Sequence, residues 1–298
     1  MPGAEETIRA GLESLRLLDA GSASRASISR YASGLFQIYL IRSRPAQSRE
    51  DTRFIAKPLP ADVAEAEWDG LQSLHRGGAK TPELFGIYHC APTGMNSHTG
   101  EAVLFMEFCS GQPVRASSLK QLYARKHEYW GYHRHNFIGR LNQTNSRHES
   151  FDEFWWQDRI EPQLRLARDS GLLDQQDSTA AEHIVSSLSH KWRLSEIGPR
   201  LVHGDLWNGN VIANETGEAV FIDPSVAYSH PEQDFAMLEL FGSPVSQSEI
   251  DNISRTVGLP PGRNERIPFF QLYPLLVHVN LFGHSYVGGV RRILRQYA

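Results

Sequence analysis

Only two cysteines, Cys90 and Cys109, occur in 298 residues. Two thiols cannot build a disulfide framework, so the chain is expected in a reducing compartment, the cytoplasm. No apolar run reaches the length of a bilayer span. The start, Met1-Pro2-Gly3-Ala4-Glu5-Glu6, is acidic with no apolar stretch behind it, so neither a membrane anchor nor a signal peptide is expected. Charge of one sign is missing as well. Thirty Lys and Arg against 34 Asp and Glu leave a formal charge of -4, which gives nucleic acid or an anionic membrane no electrostatic handle. Local clusters of basic residues read as solvated faces. His127, His133, His135 and His148 stand near one another, but their spacing fits no zinc template and no cysteine pair accompanies them. Internal repeats and low-complexity segments are absent.

What is present suits a globular enzyme. Hydrophobic residues make up 40% and charged residues 21%, enough for one large domain or two lobes, each with a core. Residues 5–18 carry Ile8, Leu12, Leu15 and Leu18 at helical spacing. Ser27 to Ile41 reads as strands around a turn at Ala32-Ser33-Gly34, followed by a polar loop from Arg42 to Asp51. Phe54-Ile55-Ala56-Lys57 is a buried-strand signal stopped by Pro58. Asp62 can cap a helix running to Gly77-Gly78. Strands near Leu84–His89 and Ala102–Phe108 follow. Beyond Gly111 the patterns turn helical, over roughly 117–129, 151–170, 179–193 and 266–296, with a break near Gly283. Two short strand signals, 211–213 and 219–222, interrupt them. The expected fold is α+β and bilobal, of protein-kinase type. Residues 1–110 form a small ATP-binding lobe with an antiparallel sheet and one main helix. Residues 111–298 form a large, mostly helical catalytic and substrate-binding lobe.

The chemistry concentrates in His203-Gly204-Asp205-Leu206-Trp207-Asn208-Gly209-Asn210. Phosphoryl transfer needs charge neutralisation and alignment of the attacking hydroxyl, with little covalent work from the protein. Asp205 follows the apolar Leu201-Val202 and is placed to accept a hydrogen bond from an incoming hydroxyl. Asn210 stands five residues later, the D-x-x-x-x-N spacing in which an asparagine holds magnesium. Asp223 follows the strand Val220-Phe221-Ile222, so its carboxylate can meet the same ion. Mg²⁺ takes a few hard oxygens plus phosphate and water. His203 is expected to brace the loop rather than act as a base. Asp223-Pro224 replaces D-F-G, which removes the flipping phenylalanine of signalling kinases and points to small-molecule metabolism. In the small lobe, Lys57 is the candidate for the α- and β-phosphates and Glu67 its ion-pair partner, with Glu65 the rival on another side of the helix. Ser33 and Gly34 are candidates for the phosphate-covering turn, which is poor in glycine. Met106, Glu107 and Phe108 stand where a hinge offers backbone groups to adenine. Trp207 offers a flat face for a sugar ring, or alternatively packs under the loop. Asn136 and Asp234 are candidates to hydrogen-bond either substrate hydroxyls or the backbone, and for Asp234, a plain N-cap candidate at a helix start, the structural role is favoured.

Leu201 through Asn210, with Phe221-Ile222-Asp223-Pro224, resembles the signature of the fructosamine kinase (ketosamine-3-kinase) family. The likeness continues in His135-Asn136-Phe137-Ile138-Gly139 with Gln143 and Asn145, and in Phe151 to Arg168. It extends to Asp234-Phe235-Ala236-Met237 through Gly242, and to Tyr273–Leu276 with His278–Gly283. It covers roughly residues 25–296. The resemblance implies a relation in fold to aminoglycoside phosphotransferases and choline kinases. It implies Mg-ATP-dependent phosphorylation of the 3-hydroxyl of ketosamines, free or on protein lysines. Asp205 would then be the catalytic residue, Asn210 and Asp223 the metal ligands, and Lys57 and Glu67 the phosphate-side pair. The chain departs from the family in its loop, Ser33-Gly34-Leu35-Phe36-Gln37, which lacks the usual paired glycines and the cysteine some members carry there. No redox-sensitive dimer is therefore transferred to it.

Two rival expectations remain at this level. One is a kinase of the same fold acting on an aminoglycoside or choline; the other is a nucleotide-binding pseudokinase. Nothing in the sequence fixes the oligomeric state, and a monomer suffices.

Overall fold

The computed structural model describes residues 3–44, 52–90, 100–111, 119–214 and 216–297, apart from the side chains of Ala20 and Ser33. The chain divides into two compact units, residues 1–72 with 81–110, and residues 73–80 with 111–298.

The first unit opens with helices α1 (Ala4–Ser14) and α2 (Ala20–Arg25). Strands β1 (Ser27–Ser33), β2 (Gln37–Ser43) and β3 (Thr52–Pro60) lead to helix α3 (Ala61–Arg76), then β4 (Leu84–His89) and β5 (Glu101–Glu107). The sheet order is β1-β2-β3-β5-β4, antiparallel throughout. The apolar strand β5 is buried on both faces because its side chains alternate. Val103 and Phe105 enter a cluster with Ile8, Leu12, Ile41 and Phe54, while Ala102, Leu104 and Met106 join Leu59, Ala64 and Leu71. Lys57 lies opposite Leu104 in the ladder and so faces the α3 side. The polar loop expected from Arg42 begins only after Ser43, and its stretch 45–51 lies outside the described residues.

The second unit carries α4 (Leu119–Ala124), a small hairpin of β6 (Asn136–Ile138) and β7 (Leu141–Gln143), and α5 (Phe151–Phe154). One π-helical stretch, Trp155–Ile160, joins α5 to α6 (Glu161–Asp169). Helices α7 (Gln175–Lys191) and α8 (Leu194–Ile197) precede β8 (Arg200–Val202). After it come β9 (Val211–Ala213), β10 (Ala219–Phe221) and β11 (Ala227–Ser229). Helices α9 (Glu232–Phe241), α10 (Gln247–Thr256), α11 (Arg263–Phe282) and α12 (Val287–Tyr297) close the chain. A single apolar cluster runs through this unit, with Trp130, Phe151, Trp155, Phe235, Phe269 and Phe270 at its centre. The helical pattern expected over 117–129 is short. α4 ends at Ala124, and 117–118 lie outside the described residues.

Among the described residues no helix is long and apolar enough to cross a membrane.

Candidate functional site

β8 delivers the motif and pairs with β11, while β9 and β10 form a separate two-stranded ribbon. Between them the backbone turns at Gly204, where φ is 84° and an added Cβ would stand 1.9 Å from the Ser225 carbonyl oxygen. Only glycine fits so close an approach. His203 is fully buried. Its Nε2 pairs with the Ile222 carbonyl at 3.0 Å, and its Nδ1 accepts the Asp205 N–H at 3.3 Å. That pattern requires the neutral Nε2–H tautomer, and burial pulls the imidazole down to about 4. His203 thus ties the residue before Asp223 to Asp205 itself, a bracing role rather than a proton-transferring one.

Asn210 ends the short 3₁₀ turn Asn208–Asn210. Its Nδ2 donates to the Asp205 carbonyl oxygen at 2.9 Å and to Asp205 Oδ2 at 3.0 Å. The amide is thereby oriented with Oδ1 turned away, a hard oxygen that takes no hydrogen bond among the described residues. Asp223 follows β10 with φ at 53°, a left-handed conformation uncommon outside glycine. The Ile222 N–H donates to the Asn210 carbonyl at 3.1 Å, so the backbones of these two segments are joined. An amide oxygen and a carboxylate carried on joined segments form the kind of donor set that suits a hard divalent cation.

Asp234 is fully buried on α9. Its Oδ2 accepts the His203 N–H at 2.8 Å and the Tyr123 hydroxyl at 2.9 Å, and its Oδ1 accepts the Gly204 N–H at 2.8 Å. Burial raises its carboxyl to about 6 against the lowering effect of those three donors. Asn136 is equally committed. Its Nδ2 donates to the Val226 carbonyl, and its Oδ1 accepts from Gln143 and Asn145, all three between 2.8 and 2.9 Å. Both residues were candidates either for substrate hydroxyls or for the backbone, with the structural role favoured for Asp234. Their polar atoms are buried and spent on the scaffold of the loop, which is the second of those alternatives.

Trp207 is 38% exposed. Its ring lies over Gly209, whose Cβ would meet it at 2.3 Å. The indole therefore sits over the backbone of its own loop at Gly209.

In the first unit, Lys57 Nζ meets Glu67 Oε2 at 2.7 Å, both side chains buried. Met106 is buried in the α3-side cluster. The Glu107 N–H is spent on the Glu83 carbonyl, and its carboxylate accepts the Glu83 N–H. Phe108 stacks edge-on with Tyr31 at 5.4 Å and lies under the Arg53 guanidinium at 4.7 Å. Gly34 sits in an open turn with nothing within 4 Å of its Cβ position, and the Ser33 hydroxyl lies outside the described residues.

The fructosamine kinase family profile matches residues 56–298. The chain belongs to that family. It is 35% identical over 242 residues to a protein of Enterococcus faecium named a probable ketoamine kinase, across 78% of this chain and 82% of the relative. A solved structure from Thermobifida fusca, named a putative fructosamine-3-kinase, matches with a TM-score of 0.76 at 30% identity, covering 98% and 100% of the two chains. An ADP-bound aminoglycoside phosphotransferase shares the fold at 13% identity, TM-score 0.54, over 93% and 97%. The architecture is therefore protein-kinase-like, and membership of a kinase family makes the chain an ATP-using phosphotransferase that acts on a hydroxyl.

Several supporting residues were not singled out as site residues in the sequence. Tyr123 serves Asp234, and no local pattern marks it. Tyr273 donates to Gln143 Oε1 at 2.6 Å, and its hydroxyl is raised well above the ordinary range, chiefly by burial, with Asp205 adding to the shift. Arg159, fully buried, donates to the Thr144 carbonyl and to Asn145 Oδ1, each at 2.6 Å, and lies over the Phe154 ring. Gln143, Asn145, Arg159 and Tyr273 fall within segments that carry the family resemblance, but motif position alone does not reveal that they form one buried network.

Proposed function

We propose that the protein transfers the γ-phosphoryl group of ATP to the 3-hydroxyl of a ketosamine, the sugar adduct of an amine or of a protein lysine. The single observation that carries the reading is the Asp205–Asn210 contact at 3.0 Å. It fixes the Asp205 carboxylate and leaves the Asn210 amide oxygen without a hydrogen bond among the described residues, which supports a role for it toward a cation. Asp205 would accept the hydrogen bond of the 3-hydroxyl and take its proton as the new oxygen–phosphorus bond forms and the bond to ADP breaks. Asn210 Oδ1 and the Asp223 carboxylate would hold Mg²⁺, which supplies charge neutralisation on the phosphates. Lys57, fixed by Glu67, would carry the α- and β-phosphates, and backbone groups at Ser33 and Gly34 would cover them. The backbone following Met106, from Glu107 to Phe108, would receive adenine. Trp207 would stack on the sugar. The two cysteines fit a reducing cytoplasm, and a monomer suffices for each of these roles.

The test is direct transfer. The protein, Mg-ATP and lysine bearing either fructose or ribulose should yield a 3-phosphate, and Asp205→Asn should lose activity by a factor of 10² or more. Full activity in that variant would remove Asp205 from the chemistry. Transfer to an aminoglycoside or choline but to neither adduct would overturn the ketosamine reading and leave the kinase intact.

A further inference from the structure

Arg200 opens β8 three residues before His203, and the chemistry proposed above does not use it. It is 5% exposed. Its Nε and Nη1 are buried without a hydrogen-bond partner, and no ion pair reaches it among the described residues. A desolvated guanidinium without a counter-charge is a costly arrangement, so one that persists calls for an explanation.

The surroundings deepen the imbalance. Lys126 pairs directly with Arg200 as an isolated antiparallel bridge, and Arg200 pairs with Ser229 on β11. Directly opposed residues share a face, so Lys126, Arg200 and Ser229 line one side of the ribbon, and like charges placed so are destabilising. The Lys126 stem lies across Gly198, with its Nζ 3.7 Å from the position a Cβ would take. Ser229 Oγ pairs with Gln233 Oε1, and Gln233 Nε2 is then buried with no acceptor. His230 Nδ1 accepts the Glu232 N–H, so Nε2 carries the proton, and this donor too is buried without an acceptor. The buried carboxylate that follows β11 is already used. Glu232 is bound at both oxygens by Arg266, at 2.6 and 2.8 Å. The excess positive field is felt by neighbours: His127 and His230 are both lowered, first by burial and then by nearby guanidinium groups, Arg200 among them.

We infer that Arg200 and Lys126, with the buried donors of Gln233 and His230 behind them, form a binding site for a small oxyanion of the phosphate class, apart from Asp205, Asn210 and Asp223. A dianion would supply the acceptors that three side chains lack and would separate two opposed cations. The free ion and a monoester on a small molecule present the same group to this site. Because β8 runs directly into His203, occupancy would stiffen the strand that delivers the catalytic loop.

The experiment follows the thermal midpoint of the full chain in saturating ADP, with ionic strength held constant by sodium chloride. Inorganic phosphate and glycerol phosphate are titrated in separate arms. A saturable rise is expected with inorganic phosphate, and a rise with glycerol phosphate as well would extend the site to monoesters. Arg200→Gln should abolish the rise. Lys126→Gln, an exposed position whose loss cannot open the core, should weaken the apparent phosphate affinity at least threefold. The His127 ring resonances should move on phosphate addition in the wild type and stay still in the variants. A rise that persists unchanged in both variants, or that chloride reproduces at equal ionic strength, would overturn the site. Should Arg200→Gln fail to fold, Lys126→Gln and the His127 resonances decide alone.

Discussion

The Asp234 carboxylate and the backbone of His203 meet at 2.8 Å, and the same carboxylate takes the Gly204 N–H at 2.8 Å. A buried acid on α9 therefore fixes the chain one residue before Asp205. Asp234→Asn keeps the shape but presents an amide N–H₂ toward one of these N–H donors. One buried donor then loses its acceptor, at a cost of about 1–3 kcal/mol. The thermal midpoint should fall by roughly 2–4 °C per kcal/mol, and kcat should drop more than the KM for either substrate changes. A variant with wild-type kcat and midpoint would show that the loop holds its place without Asp234.

His203 and Asp234 also titrate in opposite senses. His203, at about 4 when folded, refuses a proton that the unfolded chain binds below its ordinary value of about 6.5. Its contribution is lost as pH falls through that window, by about 3 kcal/mol in all. Asp234, at about 6 when folded, keeps a proton that the unfolded chain releases, so its contribution is lost as pH rises from about 4 to 6. The two nearly cancel in the wild type. Urea midpoints at pH 4.5 and 6.5 should reveal them separately. Relative to wild type, His203→Asn should lose ground as pH rises, and Asp234→Asn should gain it. Parallel pH profiles for all three proteins would contradict both assignments.

Lys57 and Glu67 form a buried pair whose halves are not equivalent under substitution. Removing one charge leaves the other desolvated, typically costing about 3–5 kcal/mol. Lys57→Met should therefore lower the unfolding midpoint sharply as well as abolish transfer. Glu67→Gln keeps a hydrogen-bonding side chain beside Lys57 and should stay folded, with the KM for ATP raised severalfold and the acceptor KM unmoved. An unchanged KM for ATP would remove Lys57 and Glu67 from nucleotide binding.

Much of this architecture was legible because periodicity and motif spacing are local. The apolar run of β5, the helix that begins near Asp62 and the break at Gly283 all stand in the sequence. So does the D-x-x-x-x-N spacing, and Asn210 does reach Asp205. What the sequence hid is long-range. Tyr123 contacts a residue 111 positions away, and Tyr273 reaches Gln143 across 130; no pattern on one strand or helix encodes such pairs. The hairpin at Asn136–Gln143 escaped because its strands are three residues each, too short for period-two alternation to register. The choice between substrate and backbone for Asn136 and Asp234 stayed open in the sequence for the same reason. Their polar groups look available until the backbone donors and acceptors that claim them are brought alongside.

Trp207 offers the sharpest test of acceptor recognition, through its neighbour. Gly209 carries no side chain, and a methyl there would stand 2.3 Å from the indole. The indole tip belongs to a side chain that is 38% exposed, so it can swing aside and the fold should survive Gly209→Ala. The ring would leave its position over the loop while Asp205, Asn210 and their hydrogen bonds stay in place. If the indole face stacks on the sugar, the loss is about 0.5–1.5 kcal/mol. The ketosamine KM should then rise by about two- to tenfold with the KM for ATP unchanged. Trp207→Ala should match it, and the double variant should add nothing further, because both substitutions remove the same contact. Additive losses, or an acceptor KM that stays put in either single variant, would assign the indole to packing and leave sugar recognition to other residues.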